Sequence, residues 1–123
     1  MRIILLIGLG SFIGGVSRYL LSQIIQAKFL SAYPYGTLAV NIIGCFAIGI
    51  VFGLSERSGL TQEWKMFLAT GLLGGFTTFS AFSNETVIIL RDGQAGYAMI
   101  YVLSSVLLGL TATFIGIMAI KFF

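Results

Sequence analysis

Hydrophobic positions run along this chain in four long blocks, at about residues 3 to 26, 35 to 54, 64 to 90 and 97 to 120, separated by short polar intervals. Each block reaches the ~20 residues required to cross a ~30 Å hydrocarbon core. Backbone groups left unpaired in lipid are costly, so each block is expected to be a helix. The four blocks use nearly the whole chain, and residues 1 to 123 are expected to form a single membrane domain.

The third block differs from the others. From Trp64 to Leu90 it has 27 residues, which as one helix would run ~40 Å, longer than the core. Within it, the stretch GGFTTFSAFSNE of residues 74 to 85 carries paired glycines, four hydroxyls, three phenylalanines and a carboxylate. Glycine tolerates unusual dihedrals and threonine is a mediocre helix former. Gly74 and Gly75, followed by Thr77 and Thr78, therefore mark an expected break near the middle of this span. Irregular backbone survives at membrane depth only where something satisfies it, and freed carbonyls there suit a cation such as sodium.

Composition sharpens the membrane reading. Charged residues make up 9% of the chain, against about 25% in soluble domains, too few to cover a water-facing surface. A signal-peptide reading of MRIILLIGLGSFIGG is set aside, because apolar residues continue past Arg18 and three further blocks follow. Cys45 stands alone, so no disulfide framework or paired metal-ligand spacing is present. GLGSFIGG resembles a dinucleotide loop but lacks the strand and later acidic residue that such a loop needs. The absence of His and of a nucleophile paired with a base argues against an enzyme, and the net charge of +3 without a basic cluster argues against nucleic acid.

With four spans, Arg2, Arg57, Lys65 and Lys121 share one membrane side, and Lys28 and Arg91 the other. So small a bias is compatible with one fixed orientation or with insertion both ways as an antiparallel homodimer. A lone copy would struggle to line a pathway, which favours a dimer. Gly10 and Gly14, Ser11 and Gly15, and Gly49 and Gly53 have the four-residue spacing of close helix contacts and are candidate contact faces.

Polar groups inside a membrane usually face a pathway or a partner. Thr37 and Asn41 are one turn apart, as are Tyr101 and Ser105 beside Ser104. The Asn41 amide can donate two hydrogen bonds. Phe79 and Phe82 share a helix face, and their ring edges carry positive potential. Together these groups suit a small anion that is a strong acceptor.

GTLAVN at residues 36 to 41, TGLLGGFTTFSAFSNET at 70 to 86 and Arg18 in GGVSRYL resemble the CrcB, or Fluc, fluoride channels of bacterial membranes over essentially the whole chain. The resemblance implies a multi-pass protein of the bacterial inner membrane, an all-α antiparallel dual-topology homodimer that exports fluoride passively. It implies two fluoride pores and a structural sodium ion at the dimer centre, held by the backbone carbonyls of Gly74 and Thr77. Phe79, Phe82 and Asn41 are then pore residues, and Thr37, Ser80, Tyr101 and Ser105 lie along or near the pathway. Arg18 and Glu85 are expected in structural or pore-mouth roles. Ala81 departs from the hydroxyl that many relatives carry between the phenylalanines, which would slow conduction unless Ser80 suffices. A small multidrug-type cation/proton transporter is the competing reading, but the first block contains no acidic residue to bind a cation.

Overall fold

A computed structural model describes the chain from Met1 to Phe123 apart from Leu30 and Ala32. Helices α1 (Arg2–Ala27), α2 (Tyr35–Ser58) and α6 (Ala95–Phe122) are three unbroken spans. The remaining span, Gln62 to Arg91, is assembled from pieces. It comprises α3 (Gln62–Lys65), a π-helical segment (Met66–Leu73), α4 (Gly74–Phe76) and α5 (Phe79–Arg91). Every described element is helical, and all four spans are apolar enough to cross a bilayer.

The ends of the spans are marked by local chemistry. Thr61 caps α3 by accepting the Trp64 N–H, and Thr78 caps α5 by accepting the Ala81 N–H at 3.1 Å. Gly59 ends α2 with a φ of 72°, in the left-handed region that glycine enters without a Cβ penalty. Arg57 ties α2 to the end of α6 by donating from Nη1 to the Ile120 carbonyl at 2.6 Å.

Lipid gives apolar helices little reason to associate, so close backbone packing and hydrogen bonds hold such bundles. Two helix pairs supply this packing. α1 lies on the π-helical segment, with Gly10 and Gly14 against the backbone of Phe67 to Leu72. α2 lies on α6, where Gly116 approaches Gly49 and Thr113 Oγ1 donates to the Cys45 carbonyl at 3.0 Å. Gly53 sits against Ile117 and Ile120 of α6. Of the glycines expected to offer contact faces, Gly10, Gly14, Gly49 and Gly53 are therefore spent within the chain, while Gly15 faces open space. Close approach was the correct reading of their spacing, but nothing in spacing says which helix does the approaching.

Outside these seams the helices present apolar side chains outward. Leu5, Phe12, Leu107, Leu110 and Phe114 are all exposed, and among the described residues the buried apolar ones reduce to Val40, Val51, Ile89, Ala98, Tyr101 and Ala112. An outward apolar surface of this extent fits a lipid environment.

The break falls within the expected stretch, at its downstream end. Gly74 remains helical, and the chain turns extended at Thr77 (φ −92°, ψ 157°) and Thr78 (φ −148°, ψ 119°). The two glycines serve another purpose. A Cβ on Gly75 would stand 2.6 Å from the Ser11 carbonyl oxygen and 3.1 Å from the Gly15 nitrogen. Gly75 thus lets the third span press against α1 immediately before it breaks.

Candidate functional site

The break is pinned from two sides. From α2, the Asn41 amide accepts the Thr78 N–H on Oδ1 at 2.8 Å and donates from Nδ2 to the Thr78 carbonyl at 3.1 Å. From α1, Arg18 Nε donates to the Gly75 carbonyl at 3.2 Å, while one turn earlier Ser11 Oγ donates to Gly71 at 3.4 Å. Thr77 folds its hydroxyl back onto the Leu73 carbonyl at 2.9 Å, and its methyl lies over Gly44. Asn41 was expected to turn its amide toward an anion. One of its N–H bonds is instead used by the backbone that the break leaves without helical partners, and one remains.

These bonds decide which carbonyls are free. In a continuous helix Thr78 N–H would reach the Gly74 carbonyl and Ala81 N–H the Thr77 carbonyl. Here Thr78 N–H goes to Asn41, and Ala81 N–H goes to the Thr78 hydroxyl. Gly74 and Thr77 therefore lose their ladder partners, and both border the same cleft. Neutral oxygens released from a helix in this way suit a cation of low charge. Two of them cannot replace an ion's hydration shell, so the donor set fits sodium only when a second copy adds its own.

That cleft, of about 410 Å³, gathers most of the residues singled out from the sequence: Asn41, Phe79, Phe82, Ser105, and the Gly74 and Thr77 backbone. Ser80 sits at its edge, its hydroxyl 3.2 Å from that of Thr78. The two rings lie 5.6 Å apart, and Phe79 is 79% exposed on the single chain.

Thr37, Glu85 and Tyr101 form a second group. Thr37 Oγ1 donates to Glu85 at 3.1 Å, and the Tyr101 hydroxyl donates to the other carboxylate oxygen at 3.5 Å. Phe82 connects the two groups, its ring 5.1 Å from that of Tyr101. Among the described residues the one ion pair is Arg2 with Glu63, at 3.1 Å. Arg18 and Glu85 thus occupy separate structural positions, Arg18 on the break and Glu85 between the hydroxyls of α2 and α6.

Thr78 was marked in the sequence as part of the break but not as its clamp point, and Tyr33 was not singled out at all. Thr78 receives both Asn41 bonds and caps α5, a role legible in principle from a threonine opening a helical run. Tyr33 sets its hydroxyl 3.2 Å from that of Ser104 and its ring edge-on to Tyr101 at 5.6 Å. It comes from the connection before α2, and no local pattern announces that contact.

Comparison with known proteins adds an independent observation. A family model described as "CrcB-like protein, Camphor Resistance (CrcB)" matches residues 5–117. A "Fluoride-specific ion channel FluC" of Flavobacterium psychrophilum is 43% identical over 122 residues, covering 98% of both chains. Proteins with the same description from Thermus thermophilus, 43% identical, and Methylobacillus flagellatus, 41% identical, align over 91% and 96% of this chain and 90% and 94% of their own.

Proposed function

Since this chain belongs to the family of CrcB-like proteins, we infer that it is a fluoride channel, a multi-pass bacterial membrane protein and not an enzyme. One observation carries the reading: Asn41, Phe79, Phe82 and Ser105 converge on a single cleft in a chain whose relatives are named fluoride-specific channels. Fluoride is small and holds its water tightly, so its passage requires strong donors at close range. The free Asn41 N–H, the Ser105 hydroxyl and the positive edges of Phe79 and Phe82 supply such contacts. Thr37 and Tyr101 continue the polar lining beyond Phe82, but each gives its one O–H to Glu85, so they would have to release that carboxylate before donating to the anion. Ser80, beside the Thr78 hydroxyl, stands in for the hydroxyl that Ala81 lacks.

The same reading makes the active form an antiparallel homodimer, each copy a single channel domain embedded in the bilayer. The exposure of Phe79, together with Ser80, Ser83 and Asn84 on α5, supports a second copy. Polar groups are costly when turned to lipid, and a partner removes that cost. The carbonyls of Gly74 and Thr77 from both copies would hold sodium. The ion supplies a fixed positive charge that compensates the carbonyls released by the break. Export is passive: an inside-negative potential drives the anion outward.

The test is fluoride efflux from liposomes carrying the purified protein, followed with a fluoride electrode and with chloride measured in parallel. Fluoride release without chloride release is expected. Equal release of both anions, or of neither from dimeric protein, would overturn the assignment.

A further inference from the structure

Ser11, Gly15 and Arg18 stand on one face of α1, and that face meets Gly71 and Gly75 of the third span. Because Gly75 has no Cβ, its backbone reaches α1 closely enough for Arg18 Nε to take its carbonyl at 3.2 Å. The acceptor lies between the two carbonyls, Gly74 and Thr77, whose helical N–H partners have been drawn away by Asn41 and Thr78. Within Gly74 to Thr77 the carbonyls thus have different fates: Gly75 serves a guanidinium, while Gly74 and Thr77 are the ones whose residues border the cleft.

We propose that Arg18 is a positioning residue that sets the selectivity of the cation site. It acts by holding the Gly75 carbonyl on the α1 side of the span, away from the cleft that Gly74 and Thr77 border, and by fixing a positive charge on the backbone that carries those two oxygens. This inference rests on the sodium reading above. Two physical effects follow. With one carbonyl fewer on each copy, the cradle cannot enlarge its shell to suit a bigger monovalent ion such as potassium. The guanidinium also repels a divalent cation twice as strongly as a monovalent one, because Coulomb energy scales with the product of the charges. Arginine suits the role because its planar charge persists at any accessible pH and its fork can hold a carbonyl rigidly.

The experiment has two parts, neither of which reads flux. First, carbonyl chemical shifts of the 13C-labelled native protein are followed by NMR in lipid as sodium chloride is titrated against a large organic cation. Gly74 and Thr77 are expected to move with sodium while Gly75 stays still. Movement of Gly75 together with the other two would overturn the proposal without harming the sodium site. Absence of any sodium-dependent shift would overturn both. Second, thermal stabilisation by sodium, potassium and calcium is compared between the native protein and Arg18→Gln. If the worth of one charged hydrogen bond is expressed in cation preference, the change corresponds to about tenfold or more. The native preference for sodium is therefore expected to shrink by about that factor in Arg18→Gln. An unchanged preference in the folded variant would overturn the proposal. Should Arg18→Gln not fold, the native-protein titration alone decides the outcome.

Discussion

The side-chain amide of Asn41 is closed on the backbone of Thr78 from both directions, at 2.8 Å and 3.1 Å, so that one residue of α2 replaces the helical bonds the third span has given up. An asparagine on one helix thereby fixes the course of another at the depth where irregular backbone is most costly. The same side chain keeps a second N–H and borders the cleft, so the break and the proposed pathway share one residue.

Asn41→Ala removes both bonds and strands the Thr78 N–H and carbonyl. Each such loss is worth about 1–2 kcal/mol, and more where a polar group is left buried and unpaired. The variant should lose about 2–4 kcal/mol of stability together with fluoride efflux. A melting temperature equal to that of the native protein would show that the clamp contributes nothing.

Gly75 and Gly96 give opposite expectations for the same substitution. A Cβ at Gly75 meets the Ser11 carbonyl oxygen at 2.6 Å and Ser11 Cα at 3.0 Å, backbone atoms that cannot swing aside, whereas Gly96 has open space around it. Gly75→Ala should cost about 1–3 kcal/mol by overpacking. Gly96→Ala should be neutral or gain up to about 1 kcal/mol from helix propensity. Thermal melts of the two variants in one detergent provide the check.

The spans were legible because a bilayer imposes one length and one backbone solution. Blocks expected at 35 to 54 and 97 to 120 became helices over Tyr35–Ser58 and Ala95–Phe122. The break was legible as excess length plus a cluster of poor helix formers, and within that cluster it falls at Thr77 and Thr78 while the glycines stay helical. Propensity described Gly74 and Gly75 as loose, but packing against α1 decided what they do. Among the site residues, Thr37 with Asn41 and Phe79 with Phe82 could be paired because helix periodicity puts them on one face. The bonds from Arg18 to Gly75 and from Asn41 to Thr78 join residues 57 and 37 positions apart. No local pattern encodes them, since they depend on which helices pack together.

Phe79 and Phe82 are predicted to separate function from stability. Phe79 is mostly exposed on one chain, while Phe82 is half-buried against Tyr101. Phe79→Ile should reduce fluoride efflux with little change in the melting of the individual chain. Phe82→Ile should reduce efflux and also cost about 1 kcal/mol, through the lost aromatic contact with Tyr101. The double variant should retain no selective fluoride release. Native-like selective efflux from the double variant would remove the rings from the pathway.

Orientation is the remaining element of the antiparallel reading, and it follows from weak charge bias combined with an unfinished face. Arg2, Arg57, Lys65 and Lys121 stand against Lys28 and Arg91. A bias this slight is compatible with insertion in both orientations, as the proposed antiparallel dimer requires. An antiparallel partner also places one break against the other and brings four carbonyls from two copies toward a common centre. Ser58 lies at the exposed end of α2, so Ser58→Cys in a Cys45→Ser background gives one reporter per chain. A membrane-impermeant thiol reagent applied from outside should label about half of the reporters, with the rest reacting only after permeabilisation. Labelling confined to one side would overturn dual topology, and a dimer that still formed would then be parallel, with its two cation cradles facing the same way.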